Sequence, residues 1–366
     1  MRMKRQNTFV MVLIAALWLG LAVWCWLRPS DGFSTTERRP LAQFPQFSAD
    51  TLLDGSFMEK FEEYTQDQFP LRDGFRSLKA SFHVGVLQQW DNNGIYITGG
   101  QAAKLEYPLS ESSVNHALAV MNKIREKYLQ DSRVFLSVIP DKGYYLAEAN
   151  GYPAMDYEKL LGMMSEGMQG TSYVNLTDLL NGESYYTTDT HWRQDKLLPV
   201  ADRLCQALGV PAPRHEDFTS TTQEKPFYGV YYGQAALPME PDALIWMESQ
   251  LLKECRVYNY ETGKYGSIYD STKLEGSDLY ETFLSGSVSL MTIENPNAKT
   301  DRELVVFRDS FGSSLTPLLV KDYKTVTVVD IRYLASDYVG NFVDFHGQDV
   351  LFLYSTLILN SSTTLK

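Results

Sequence analysis

Ser310 stands where a serine can be made to react. The segment Leu304-Val305-Val306-Phe307-Arg308-Asp309-Ser310-Phe311-Gly312 is an apolar strand that runs into Asp-Ser, then a Gly, then a helical pattern. That order sets the Ser310 hydroxyl at the carboxyl edge of a parallel sheet, where α/β proteins collect their active sites. It also sets it at a helix N-terminus, where the N–H groups of Phe311 and Gly312 would hold a developing oxyanion. The plainer reading is that Asp309 or Ser310 caps the helix, a common role for both residue types. A serine becomes a nucleophile only beside a base. Among the five histidines, two follow an acid by two residues: Asp189-Thr190-His191-Trp192 and Asp344-Phe345-His346. At that spacing the acid can orient the imidazole and stabilise the imidazolium during turnover. The first pair lies in an irregular Thr-rich segment and the second just before the last strand. Taken as residues alone, both stay open.

Elements must bring these groups together. Ser48 is an N-cap for a helix whose apolar face is Leu53, Phe57, Phe61 and Tyr64, ending before Pro70. A second helix carries Val114, Leu118, Met121, Ile124 and Tyr128 and leads to an apolar strand, 134–139. Such an unalternating run suits a strand buried on both faces of a parallel sheet. A weaker strand follows at 173–176. After His191, Leu197, Ala201, Leu204 and Leu208 mark a helix in which Pro199 is tolerable only near the first turn. Residues 211–300 hold eight Tyr and no clear helical period, reading as an irregular or β-rich insertion. Order returns with a strand at 303–307, a helix at 313–320, a strand at 325–329, a helix near 336–346 and a strand at 350–354. Alternating strands and helices predict an α/β layered fold with a mostly parallel sheet flanked by helices.

Position adds candidate substrate contacts. Arg332 and Tyr333 follow the strand that ends at Asp330, and Lys142 follows strand 134–139 and Pro140. Each could meet a sugar or an acyl carbonyl, although a surface Arg and ordinary Tyr packing are the plainer readings.

The chain has 366 residues, 33 Lys plus Arg against 45 Asp plus Glu, and a formal charge of −12. At 44% hydrophobic and 21% charged it is a globular composition rather than a disordered one. The acidic balance argues against nucleic acid, because phosphate binding needs clustered Lys and Arg. Three cysteines are too few for a disulfide scaffold, and no CxxC or Cys/His cluster suggests zinc or calls for a cofactor. Residues 8–27 carry no charge and are just long enough to span a hydrocarbon core of about 30 Å. Arg2, Lys4 and Arg5 precede them, which places residues 1–7 in the cytoplasm and everything after Arg28 outside. A cleaved signal peptide is the rival, but bulky Trp24, Trp26 and Leu27 stand where small residues would be needed. The expectation is a single-pass anchor in the cell membrane, a stem with an amphipathic helix over 28–75, and a catalytic domain over 76–366. In an oxidising exterior Cys205 and Cys255 could pair, though their spacing does not assign it.

Strand-Asp-Ser-Phe-Gly with Asp-x-His-Trp upstream resembles the SGNH-hydrolase-like proteins of the alginate O-acetyltransferase type. It most resembles the bacterial family named after its Asp-His-His-Trp motif (DHHW). Arg39-Pro40-Leu41 with Phe44-Pro45, Phe69-Pro70-Leu71-Arg72-Asp73 and Asp330-Ile331-Arg332-Tyr333 carry the likeness along the chain. One departure is that Thr190 stands where the motif has its first His; the implied chemistry uses only the acid and the second His. In the alginate enzymes the Asp-x-His pair precedes the nucleophile, which implies Asp189 and His191 rather than Asp344 and His346. The resemblance implies an SGNH-type fold and an acetyl-Ser310 intermediate formed with His191 as base and Asp189 as its orienter. It also implies a polysaccharide acceptor and a multi-pass membrane-bound O-acyltransferase as acetyl donor. The same triad run with water would make an esterase, and a non-catalytic carbohydrate-binding scaffold is the alternative of another class.

Overall fold

The computed structural model describes residues 2–366, with side chains from Asn7 onward, so the side chains of the basic flank Arg2, Lys4 and Arg5 lie outside the described residues. Residues 2–92, with 236–238, form one unit, and the rest of the chain forms a second. The helix over 72–85 belongs to the first unit, bonded to the N-terminal segment through Thr36–Asp73 and Glu37–Arg76.

In the first unit, helix α1 (Arg2–Leu27) contains a stretch, Asn7–Leu27, long and apolar enough to cross a membrane, with none of it buried. Ser48 caps helix α2 (Ala49–Leu53) through a capping box with Thr51, and α3 (Ser56–Asp67) follows. The single helix expected here is therefore two. Gly55 between them has φ +84°, a left-handed conformation that glycine adopts freely and a helix interior cannot contain. Helix α4 (Arg72–Gly85) completes the unit. Arg39 grips Asp67 with both guanidinium nitrogens, while Arg72 pairs with Glu37 at 2.6 Å and Arg76 with Glu37 at 3.0 Å. The Arg39-Pro40 and Leu71-Arg72 segments thus tie the stem to the joint between α3 and α4.

The second unit is built on an eight-stranded sheet. Its strands in chain order are β1 (Arg133–Ile139), β2 (Ser172–Tyr173), β3 (Arg256–Asn259), β4 (Lys264–Gly266), β5 (Leu290–Glu294), β6 (Glu303–Arg308), β7 (Thr325–Val329) and β8 (Asp349–Ser355). In space they run β4-β3-β5-β7-β6-β8-β1-β2, and the stretch from β7 to β2 is parallel throughout. Val306 is registered between Val328 and Leu351, so the central strands align in depth. Helices α5 (Glu111–Tyr128), α6 (Lys142–Leu146), α7 (Tyr157–Gly167) and α8 (Leu198–Leu208) complete the layers. On one face Leu304, Val306, Leu351 and Leu353 pack with Leu204 and Leu208 of α8. On the other, Val305, Phe307 and Phe352 pack with Val114, Met121 and Ile124 of α5. Both faces of β6 are thus covered, which is why it reads as an unbroken apolar run. Each fully buried Val, Leu or Phe there stabilises the sheet by about 1.5–3 kcal/mol.

The 211–300 insertion is β-rich, as expected: β3, β4 and β5 extend the main sheet antiparallel, and a separate hairpin pairs Thr219–Phe227 with Asp242–Glu248. Two expectations are corrected. The helix expected at 313–320 is a single α-turn, Gly312–Leu315, that tightens into a 3₁₀ turn over Thr316–Asp322. The helix expected near 336–346 is a 3₁₀ turn over Ser336–Asn341, cut short where Gly340 and Asn341 disfavour continuation. Cys205 and Cys255 stand as free thiols in the same apolar cluster, where burial pushes both up to about 12.

Candidate active site

Strand β6 ends at Arg308, and the chain turns at once. Asp309 is fully buried and holds that turn: Oδ1 accepts the Phe311 N–H at 3.0 Å and Oδ2 accepts the Ser355 N–H at 2.8 Å. The helical turn that follows, Gly312–Leu315, has no side-chain cap, so neither Asp309 nor Ser310 takes the capping role weighed for this position; Asp309 instead fastens the end of β6 to the end of β8. Ser310, next in sequence, is left half-buried with its hydroxyl turned to an imidazole.

That imidazole is His191. Its Nε2 lies 2.8 Å from Ser310 Oγ, and its Nδ1 lies 2.6 Å from Asp189 Oδ1. A carboxylate only accepts, so Nδ1 carries the proton and donates it to Asp189; Nε2 is then left to accept the Ser310 hydroxyl proton. The same Asp189 Oδ1 accepts the His191 backbone N–H at 3.0 Å, and Oδ2 accepts the Val230 N–H at 2.8 Å. Asp189 is fully buried and His191 is 8% exposed, so the line reaches solvent only at the serine end.

The segment carrying the imidazole is clamped from two sides. Trp192 Nε1 donates to the Phe311 carbonyl and to Ser314 Oγ, each at 3.0 Å, and Gln194 Nε2 donates to the Ser314 carbonyl at 2.7 Å. Tyr280 stacks on the His191 ring at 3.8 Å and 7°, and its hydroxyl meets Ser314 Oγ at 2.8 Å. Behind it, Asp242 accepts the Thr187 and Thr188 N–H groups, both at 2.7 Å, and the Thr188 hydroxyl at 2.6 Å. Gly229 approaches so closely that a Cβ there would sit 2.3 Å from Asp189 Cβ. Thr190, at the position of the motif's first His, bonds the Tyr231 hydroxyl at 2.9 Å and takes no part in the line.

The structure brings Ser310, His191 and Asp189 together and keeps the rival pair apart. His346 faces the Asp344 carbonyl at 3.2 Å and Gln348 at 3.0 Å, beside the start of β8, whereas Ser310 follows the end of β6. In a parallel sheet those are opposite edges.

Other expected contacts are revised. The N–H groups of Phe311 and Gly312 are spent on Asp309, the first on its carboxylate and the second on its carbonyl at 3.1 Å, so neither points at a reacting oxygen. Lys142 is 2% exposed and donates to the Tyr186 carbonyl at 2.7 Å and the Thr187 carbonyl at 3.3 Å. It therefore braces the loop before Asp189 instead of facing a substrate, and burial lowers its amine to about 7. Arg332 is committed to Asp330 through Nε at 2.9 Å and Nη2 at 2.6 Å. Tyr333 alone of these is exposed, its ring 5.4 Å from the Arg332 guanidinium. Sequence reasoning did not find Val230, Gly229, Asp242 or Tyr280. Only the excess of Tyr in the insertion hinted at the last.

A family model described as DHHW protein matches residues 81–329, about two thirds of the chain. No curated protein matches the chain by sequence. Among solved structures, a DHHW family protein from Eubacterium siraeum is similar at 23% identity and TM-score 0.60, covering 74% of this chain and 93% of its own. PatB1 from Bacillus cereus, solved with a sulfonyl adduct, is similar at 15% identity and TM-score 0.59, covering 72% of this chain and 95% of its own. These likenesses establish a shared fold.

Proposed function

The chain belongs to the DHHW family, and from that premise we propose that it is an extracytoplasmic O-acetyltransferase acting on a cell-envelope or secreted polysaccharide. The observation that carries the proposal is the unbroken line from Ser310 Oγ through His191 to buried Asp189 at 2.8 and 2.6 Å. Such an arrangement activates a hydroxyl for covalent catalysis. Ser310 Oγ attacks the carbonyl carbon of an acetyl donor while His191 Nε2 takes the hydroxyl proton. His191 returns that proton to the leaving group, and Ser310 keeps the acetyl as an ester. A sugar hydroxyl then attacks the ester carbonyl, passing its proton to His191, and the Ser310 hydroxyl re-forms as the acetyl sugar departs. Asp189 holds the imidazole in the tautomer each step needs and stabilises the imidazolium between steps.

The resemblance of the motif order to the alginate enzymes supports acetyl as the group carried and a membrane-bound O-acyltransferase as donor. The sulfonyl adduct of PatB1 supports a nucleophile within this fold, since sulfonyl electrophiles are captured by such groups. The test is to incubate the purified protein with a chromogenic acetyl ester, with and without oligosaccharide acceptors, and to follow products by mass spectrometry. The expected result is acetylated oligosaccharide and a transient acetyl group on Ser310, both lost in Ser310→Ala. Acetate alone with every acceptor would reassign the chain as an esterase, and no turnover would leave it a scaffold.

A further inference from the structure

Helix α4 turns its most apolar side outward. Phe75, Leu78 and Phe82 recur at helical spacing on one face, with Leu71 and Val86 at the two helix ends, and in chain order the five are 60%, 46%, 66%, 50% and 64% exposed. On the opposite side Ala80 is fully buried and Arg72 and Arg76 pair with Glu37, so the helix is seated by that side. In a water-soluble surface helix the orientation would be reversed. A stripe of this size held in water is unfavourable, and such patches mark places where water is replaced.

Three observations say what replaces it. First, α4 begins where the chain leaves its apolar helix: Arg28 and Asp31 line the same cleft as Leu71 and Arg72. Second, the connection is fixed. Asp31 N–H donates to Gln68 Oε1 at 2.8 Å, Gln68 Nε2 donates back to the Asp31 carbonyl at 2.9 Å, and Ser30 Oγ meets the Tyr64 hydroxyl at 3.1 Å. Third, the exposed Lys79 borders the stripe by helical spacing, while Arg72 and Arg76 are held by Glu37 on the packed side. An apolar stripe with a cation at its border suits a helix lying in the headgroup region of a bilayer.

We propose that α4 lies in the surface of the membrane that residues 7–27 enter, with the Leu71–Val86 stripe sunk to the boundary between headgroups and acyl chains. This rests on reading 7–27 as an uncleaved anchor. The first unit then holds the lipid surface at two places, a span and a lateral helix. Two attachments restrict swivel about the stem, where a lone span would leave it free.

The experiment uses the full chain with Cys25→Ser and one new cysteine, Leu78→Cys or Phe82→Cys, carrying an environment-sensitive fluorophore. Cys205 and Cys255 are buried and escape labelling. The exposed position Glu126→Cys on α5 serves as reference. Protein is reconstituted into phosphatylethanolamine–phosphatidylglycerol vesicles and quenched with aqueous iodide or with doxyl-labelled phospholipid. Labels at 78 and 82 should be quenched by the lipid probe and be at least about threefold less sensitive to iodide than the reference, as for a helix sunk about 5–10 Å. Iodide sensitivity equal to the reference, or shielding from both quenchers as in a protein–protein contact, overturns the proposal. Alkaline extraction of the same vesicles reports separately on the anchor: protein released there would refute the anchor reading, whereas retained protein with iodide-exposed labels would refute only the docking of α4.

Discussion

At the scale of single residues, two Asp-x-His triplets compete for one serine, and spacing within a triplet cannot choose between them. Strand direction can. Asp344 and His346 precede β8, and Ser310 follows β6, so the first pair sits at the wrong edge of the sheet. His191→Ala should therefore lower kcat on a chromogenic acetyl ester by on the order of 10³ or more, as loss of a triad member does. Asp189→Asn should cost no more than that, because an imidazole remains, and His346→Ala should stay near wild type. Parallel assays with circular dichroism to confirm folding settle the matter, and an essential His346 with a dispensable His191 would reverse the assignment. Ser310 and the two Asp-x-His triplets were legible because each is a short local pattern, whereas the choice between the triplets came only from the family resemblance. The N–H donors were misread for the opposite reason: whether a backbone N–H is free depends on where a neighbouring carboxylate turns, and Asp309 turns back upon its own loop.

Elements were legible wherever burial dictates a period. Strands β1, β6, β7 and β8 and helices α5 and α8 are covered on one or both faces, and their apolar residues recur accordingly. Legibility failed where a single backbone conformation decides, as at Gly55, and where a strand gains its partner from far away in sequence, as β3 gains β5. The insertion shows what that costs in functional terms. Its 229–230 turn supplies the N–H that fixes Asp189, and its Tyr280 covers the imidazole, yet neither belongs to a recognisable motif. The turn has no room for a side chain, since a Cβ on Gly229 would overlap the Asp189 backbone N at 2.5 Å as well as its Cβ. Gly229→Ala should thus move Asp189 by a fraction of an ångström to an ångström and lower kcat by about 10²-fold, because misplacement of that order is enough to spoil alignment. KM for a small ester should change little. A variant with wild-type kcat and an unshifted thermal midpoint would mean that the turn relaxes away from Asp189, and that the insertion does not position the acid.

At the scale of the whole molecule, the apolar helix bears on which side of a membrane the site faces and whether it stays there. One helix, Asn7–Leu27, meets the length and apolarity of a span, and Arg2, Lys4 and Arg5 precede it. A basic flank is retained in the cytoplasm, so the residues after Arg28, including the Ser310 site, should lie outside. Alkaline extraction of cell membranes should leave the protein in the pellet, and protease added to spheroplasts should digest it from the C-terminal side. A soluble mature product beginning near residue 28 would show instead that the segment is removed. Retention has a functional consequence that can be measured separately from topology. If the acetyl donor is itself membrane-bound, replacing residues 1–27 with a cleavable export signal should leave turnover of a soluble ester unchanged and sharply reduce acetylation of polysaccharide in cells. Ester hydrolysis reads the intact triad, whereas cellular acetylation reads the meeting of that triad with its donor. A released protein that acetylates as well as the anchored one would show that the anchor serves neither delivery nor docking.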